Sequence, residues 1–308
     1  METYIFNIDS RNRDLTKFTL DSEFEYDFLT TQYGKLKNVV EINISSIELP
    51  NTSHWFNTAH DNTSFTIDDT SVVIADGNYN SDEIITAINN EILTLGITTI
   101  EFSVDVNTGK VTITVTDDHI INFNNTTDYS SLGELLGFED LLFEITIAEE
   151  SKESINIPNC VGEHYYLLQI NDYGHINHND KKYMSKIVLL NPKYEMTFDS
   201  RTRFVTKSYK FKQPIDINKL EIKLVDYLHN NVYLHGVQFS FTVEFKVIHN
   251  NVLKKYHELS FLSGDLLELM LHDNMLEYYN RENKNTTVNV GKTLMNNMQQ
   301  ININEQKK

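Results

Sequence analysis

Strict two-residue alternation constrains this chain more than any other feature. Phe239, Phe241, Val243, Phe245 and Val247 alternate with Ser240, Thr242, Glu244 and Lys246. Successive side chains of a strand point to opposite faces, so this run has one apolar face and one solvated face. The pattern recurs at Tyr4, Phe6 and Ile8, at Val40, Ile42 and Ile44, and at Leu220, Ile222 and Leu224. Between Val39 and Leu49 the apolar parity shifts from even to odd at Ser45-Ser46, which predicts a β-bulge. Pro50 has no N–H to give and ends that ladder. Strands at roughly ten-residue spacing, with turn signals between them, predict a β-sandwich or jelly roll.

Two stretches depart from this pattern. Residues 81–95 read as a helix with Ser81 as N-cap, Asp82 and Glu83 at the positive end of its dipole, and Gly96 as its stop. Its apolar stripe is Ile84, Ile85, Ile88, Ile92 and Leu95. A hairpin follows, with Ile100 to Val106 outward, Asn107-Thr108-Gly109 at the turn and Val111 to Val115 returning. Residues 130–138 read as one or two helical turns ended by Gly137. Further strands are expected at 24–29, 65–67, 72–75, 143–147, 164–170, 186–190 and 205–211. Residues 265–279 read as an amphipathic helix that presents Leu266, Leu269, Met270 and Leu276 as docking candidates. A polar tail follows. The fold class is mainly β: sandwich or jelly-roll-like domains, a few short helices, and a helical, polar C-terminal tail. The polar segment 148–162, which carries Pro158, suggests an N-terminal module over 1–155, a sandwich over 156–250 and a docking tail over 251–308.

Charge supports a division. The formal net charge is -18, yet residues 1–160 hold 28 acidic and 7 basic side chains, a net of −21. The remainder is close to neutral. Such a balance disfavours binding to bulk nucleic acid and keeps a β-rich surface soluble. It also allows the two halves to face different neighbours. The lone Cys160 cannot form an intrachain disulfide, which fits a reducing compartment. The start has no basic, apolar leader, and no run approaches the roughly 18 apolar residues of a transmembrane helix.

Catalytic and ligand motifs are sparse. No glycine-rich phosphate loop and no nucleophile elbow occurs. His175 and His178, beside Asp172 and Asp180, have ligand chemistry but no helix to align them, so a loop role is expected over a metal site. Asp68-Asp69 and Asp117-Asp118 sit at strand ends, where turn duty competes with a calcium site. Trp55 is either core packing or an exposed platform for a sugar. Arg11 and Arg13, with Asp9 and Asp14, form either a salt-bridged loop or a contact site. No cofactor is expected.

Several segments share an order with a known family. They are Tyr4-Ile5-Phe6-Asn7-Ile8-Asp9-Ser10-Arg11-Asn12-Arg13-Asp14, Ser46-Ile47-Glu48-Leu49-Pro50-Asn51-Thr52, Asp76-Gly77-Asn78-Tyr79 and Leu132-Gly133-Glu134-Leu135-Leu136-Gly137-Phe138. Gln169-Ile170-Asn171-Asp172, Lys219 to Asp226 and Gly236 to Thr242 continue the series. In this order they resemble the minor capsid proteins, virion structural proteins of the large nucleocytoplasmic (giant) DNA viruses. The likeness spans about residues 4–248. It implies a non-enzymatic, β-rich virion protein, assembled in the host cytoplasm, that sits under or between capsomers of an icosahedral shell. The implied partners are the major capsid protein and other minor capsid proteins, with a homo-oligomer possible. The family carries no catalytic residues to transfer. Three other readings stay open: a penton protein at the five-fold vertex, a carbohydrate- or receptor-binding module of a virion fibre, and a hydrolase using two convergent carboxylates.

Overall fold

The computed structural model describes residues 1–200, 208–249 and 254. The chain begins with β1 (Glu2–Asp9), β2 (Glu23–Asp27) and β3 (Leu36–Pro50). An insertion then runs through β4 (Ser64–Ile67), β5 (Thr70–Val73), α1 (Ser81–Thr94), β6 (Ile100–Val104), β7 (Val111–Val115), β8 (His119–Asn122), α2 (Leu132–Leu135), β9 (Leu142–Ile145) and β10 (Ser151–Glu153). After it come β11 (Tyr165–Ile170), the small hairpin β12 (Ile176–His178) and β13 (Lys181–Tyr183), and β14 (Ser185–Val188). The last four strands among the described residues are β15 (Met196–Ser200), β16 (Ser208–Ile217), β17 (Lys219–Val225) and β18 (Ser240–Val247).

Two antiparallel sheets enclose the main core. One is ordered β1-β18-β3, with β15 and β16 both pairing the far edge of β3; the other is β14-β11-β17-β2. With β15 and β16 counted as one position, eight positions in chain order form sheets 1-8-3-6 and 5-4-7-2. That is the strand order of a jelly roll. The alternation anticipated at the C-terminal end is met in full: along β18 every second residue is buried. Ile8, Ile42, Phe241 and Phe245 from one sheet share a cluster with Phe24, Leu168, Ile222 and Leu224 from the other. Each such side chain contributes about 1.5–3 kcal/mol through burial. The bulge in β3 is present. Ser46 faces Thr242 and Ile44 faces Val243, which leaves Ser45 as the extra residue. β16 runs on to Ile217 past the expected end at 211, and its register shifts between Lys210 and Ile215, around Pro214. A missing N–H is tolerated at such an irregularity.

The insertion has its own core. Phe65, Ile84, Ile88, Phe102, Ile113, Phe123 and Leu136 pack together in a second cluster. It holds the sheets β5-β4-β8-β9 and β10-β7-β6, with α1 against β5 and β6. Two local expectations need correction. The N-cap of α1 is Asn80, not Ser81: its side chain accepts from Glu83 N–H while the Glu83 carboxylate accepts from Asn80 N–H. This capping box satisfies two donors that would otherwise be free. Val106 is 96% exposed at the hairpin tip, because the strand ends at Val104 and Asp105 starts the turn.

The packing also revises the expected modules. Residues 6–49 belong to the same cluster as residues 166–247, so 1–155 is not one packed unit. A jelly roll pairs strands that are distant in sequence, and alternation reveals which face is buried without revealing the partner strand. The charge follows the revised division. Residues 51–164 hold 20 acidic and 2 basic side chains, a net of −18, and the rest of the chain holds 24 of each. The whole net charge therefore lies in the insertion.

Candidate functional site

A cleft of about 450 Å³ opens where the insertion meets the roll. Its walls come from the segment leaving β3 (Ser53 to His60), from Thr126–Tyr129 in the insertion, from Glu163 just before β11, and from the Asp226–Tyr233 loop after β17. Asp226 organises that loop. Its Oδ1 accepts the backbone N–H groups of Leu228 and Asn230, each at 2.9 Å. Its Oδ2 accepts the Tyr129 hydroxyl, to which Asn230 Nδ2 also donates at 2.8 Å. The Tyr129 phenol thus ties the insertion to the roll. Burial, reinforced by the Asp226 carboxylate, pushes the Tyr129 phenol far above its ordinary range. The His60 ring stacks on Tyr129 with centroids 3.8 Å apart. Burial pulls His60 down, against the opposing pull of Asp226.

Glu163 is the exceptional group. Its Oε1 is buried and has no hydrogen-bond partner. Burial first, and the nearby Asp226 carboxylate second, push its carboxyl up to about 7, although Lys193 acts in the opposite direction. Lys193 is itself pulled down by burial, and its Nζ donates to the Ser53 carbonyl at 3.3 Å. Nearby, the Tyr166 hydroxyl bonds to Ser53 Oγ, and the rings of His54 and His235 lie 3.9 Å apart. The cleft therefore combines a carboxyl that titrates near neutrality with a polar wall. Three carboxyls line it, Asp128, Glu163 and Asp226, where the hydrolase reading requires two that converge, but Asp226 already accepts three hydrogen bonds that hold the loop and the insertion in place.

The unusual carboxyl carries a pH prediction. Glu163 binds its proton more tightly in the folded state than in the unfolded chain, where its ordinary value is 4.5. Its favourable contribution is complete below about pH 4.5 and is lost as pH rises through about 7. His60, His229 and His235, all pulled down by burial, have the opposite sign: their contribution is lost as pH falls below their ordinary 6.5. Glu163→Gln isolates the first effect. The variant is expected to match the parent near pH 5 and to exceed it by about 1–3 kcal/mol at pH 8. Urea unfolding at the two pH values measures the difference, and an equal difference at both would contradict the assignment.

The residues singled out from sequence are not gathered here. Arg11 is 73% exposed and pairs with Asp9, whose side chain also accepts Arg11 N–H at 2.9 Å. Arg13 is buried and pairs with Asp21 at 2.5 Å, so the salt-bridged-loop reading describes both arginines. Asp14 accepts from Thr16, not from an arginine. Trp55 is half-buried against the insertion core, and its indole N–H donates to the Asn159 carbonyl at 2.9 Å. Leu266, Leu269, Met270 and Leu276 lie outside the described residues, as does the tail. Among the described residues no group of three His, Cys, Asp or Glu side chains is arranged to hold a metal. His178 Nε2 meets the Tyr227 carbonyl at 2.9 Å, and His175 lies against Tyr209. Asp68 and Asp69 adopt left-handed turn conformations, and Asp68 holds His119 Nδ1 at 2.6 Å. Asp118 accepts Ile147 N–H at 2.7 Å. Burial pushes the Cys160 thiol up, the reverse of an activated thiol. No helix among the described residues is long and apolar enough to cross a membrane. Sequence reasoning missed Tyr129, Glu163 and Asp226, which come from three separate segments and share no local motif.

No protein-family model matches the chain, and no curated protein matches it. Solved structures similar to it include a mavirus penton protein, at 13% identity and a TM-score of 0.44 over 80% of this chain and 100% of that one. A second is a chain from the Sputnik virophage structure, at 11% identity and a TM-score of 0.36 over 80% and 98% respectively.

Proposed function

We propose that the protein is a structural component of a virion, a single jelly roll that occupies the five-fold vertex of an icosahedral shell. The observation that carries this reading is the 1-8-3-6 and 5-4-7-2 strand order, interrupted between positions three and four by an insertion that holds the entire net charge. Viral capsid domains are one home of that strand order. The step from fold to role is an analogy at fold level. The ordered resemblance of segments 4–248 to minor capsid proteins independently supports a virion structural role, without choosing the vertex. On this reading a neutral roll meets its own copies and the major capsid protein, while the acidic insertion faces a different neighbour. The assembled protein resides in the virion, built in the host cytoplasm.

A second reading, a minor capsid protein that cements capsomers, draws on the 58 polar and amphipathic residues 251–308 that follow the last strand of the roll. Light scattering on the purified chain separates the two. A vertex subunit is expected to form a closed ring of five copies, since heterologous contacts that close make rings. A monomer at every concentration would overturn the vertex reading in favour of cement.

A further inference from the structure

We propose that the cleft between the insertion and the roll is a binding site for a neutral saccharide. Three observations lead there, and none depends on the shell position of the chain. First, at about 450 Å³ the cleft lies within the roughly 300–1,000 Å³ range of small-molecule sites. Second, Tyr233 lines it while remaining 51% exposed. A large aromatic ring open to solvent at the edge of a polar cleft is a surface on which the C–H face of a sugar can stack. Third, hydrogen-bonding capacity of both signs is unused. The exposed Asp128 carboxylate has no partner among the described residues. Asn57 uses its side-chain oxygen on Ala59 N–H and leaves its amide N–H groups free. Asn231 uses its amide nitrogen on Glu23 and leaves its oxygen free. A ligand hydroxyl both donates and accepts, so such a mixed set suits a polyol better than a ligand of one polarity.

Charge narrows the class. Among the described residues no lysine or arginine lines the cleft; Asp128, Glu163 and Asp226 line it, and one cation, Lys193, stands behind it beside Glu163 and Ser53. The adjoining insertion, with Asp128 and Glu163 included, carries a net −18. Sialylated, sulfated or phosphorylated ligands are repelled by such a field, which leaves neutral sugars.

The test is saturation-transfer NMR on the full chain with neutral monosaccharides (glucose, galactose, mannose, fucose and N-acetylglucosamine), with sialic acid and an arginine-containing tripeptide alongside. Transfer to at least one neutral sugar is expected, with affinity reduced about tenfold or more in Tyr233→Ala and in Asp128→Asn. Both side chains are exposed, so both variants should keep the melting temperature of the parent. No transfer to any neutral sugar would overturn the proposal. So would transfer that is unchanged in Tyr233→Ala, stronger transfer to sialic acid, or selective transfer to the arginine peptide.

Discussion

Arg13→Ala is expected to lower the stability of the fold by about 3–5 kcal/mol, whereas Arg11→Ala, two residues away, should cost clearly less. The two arginines illustrate how environment decides the value of a charge. The side chains of Arg13 and Asp21 are 8% and 4% exposed, and the guanidinium has several further partners. It donates to the Ser10 carbonyl at 2.9 Å, to Gln238 Oε1 at 2.6 Å and to the Phe18 carbonyl at 3.3 Å. Gln238 in turn donates to Asp21 at 2.8 Å, and Ser10 Oγ accepts Phe239 N–H at 3.0 Å. The network ties the end of β1 and the loop after it to the start of β18. Removing the arginine leaves Asp21 buried without its counter-ion and several acceptors without a donor. The cost is that of an uncompensated buried charge, not of a lost attraction. Arg11 is 73% exposed and reaches an Asp9 whose side chain is 8% exposed; that carboxylate keeps the Arg11 backbone N–H as a partner when the guanidinium is removed, so less is lost. Urea unfolding of the two variants measures both values. Equal losses would contradict the account of this loop.

Gly137→Ala is expected to destabilise the insertion by more than about 2 kcal/mol while sparing the roll. Gly137 adopts φ +94, in the left-handed region, where any Cβ is strained. A Cβ there would also stand 2.0 Å from the carbonyl oxygen of Asn156, which is backbone and cannot rotate away. The contact is close because Ile155 N–H and Asn156 N–H both donate to the Gly137 carbonyl, at 3.1 and 3.0 Å. Those bonds hold the segment after β10 against the end of α2. Relieving the clash would break them and open the insertion core at Leu136 and Phe138. The insertion and the roll have separate hydrophobic clusters, so they should open as separate units. Hydrogen exchange is expected to show faster exchange at the β6, β7 and β8 amides and unchanged protection in β3, β17 and β18. Uniform acceleration across both would show that the two cores are one cooperative unit.

Much of the strand content was legible from residue order, because period-two alternation is a local property. β18, β3 with its bulge at Ser45, and the hairpin closed by Gly109 could be read directly. So could the apolar face of α1, although its cap lay one residue earlier, since Asn80 and Ser81 are both good caps and the choice rests on a reciprocal bond with Glu83. Strand partners were not legible. Nothing in the alternation of β1 names β18, which lies more than two hundred residues away, and so residues 51–164 could not be recognised as an insertion. Without the strand partners, the net −21 reads as a property of residues 1–160, whereas residues 51–164 alone hold a net −18, equal to that of the whole chain. The cleft was hidden for a related reason. Tyr129, Glu163 and Asp226 are each unremarkable in their own segments and acquire their character from the junction. Trp55 drew attention by its residue type, while Tyr233, one of 16 tyrosines, is the aromatic that stands open at the cleft.

The central claim is that this jelly roll with its acidic insertion is a part of a viral shell. A density map of purified particles tests it most directly. The account predicts a roll of two four-position sheets with its insertion, resolved at the five-fold vertices or, on the cement reading, between capsomers. Particles whose complete shell density leaves no place for this chain would contradict it.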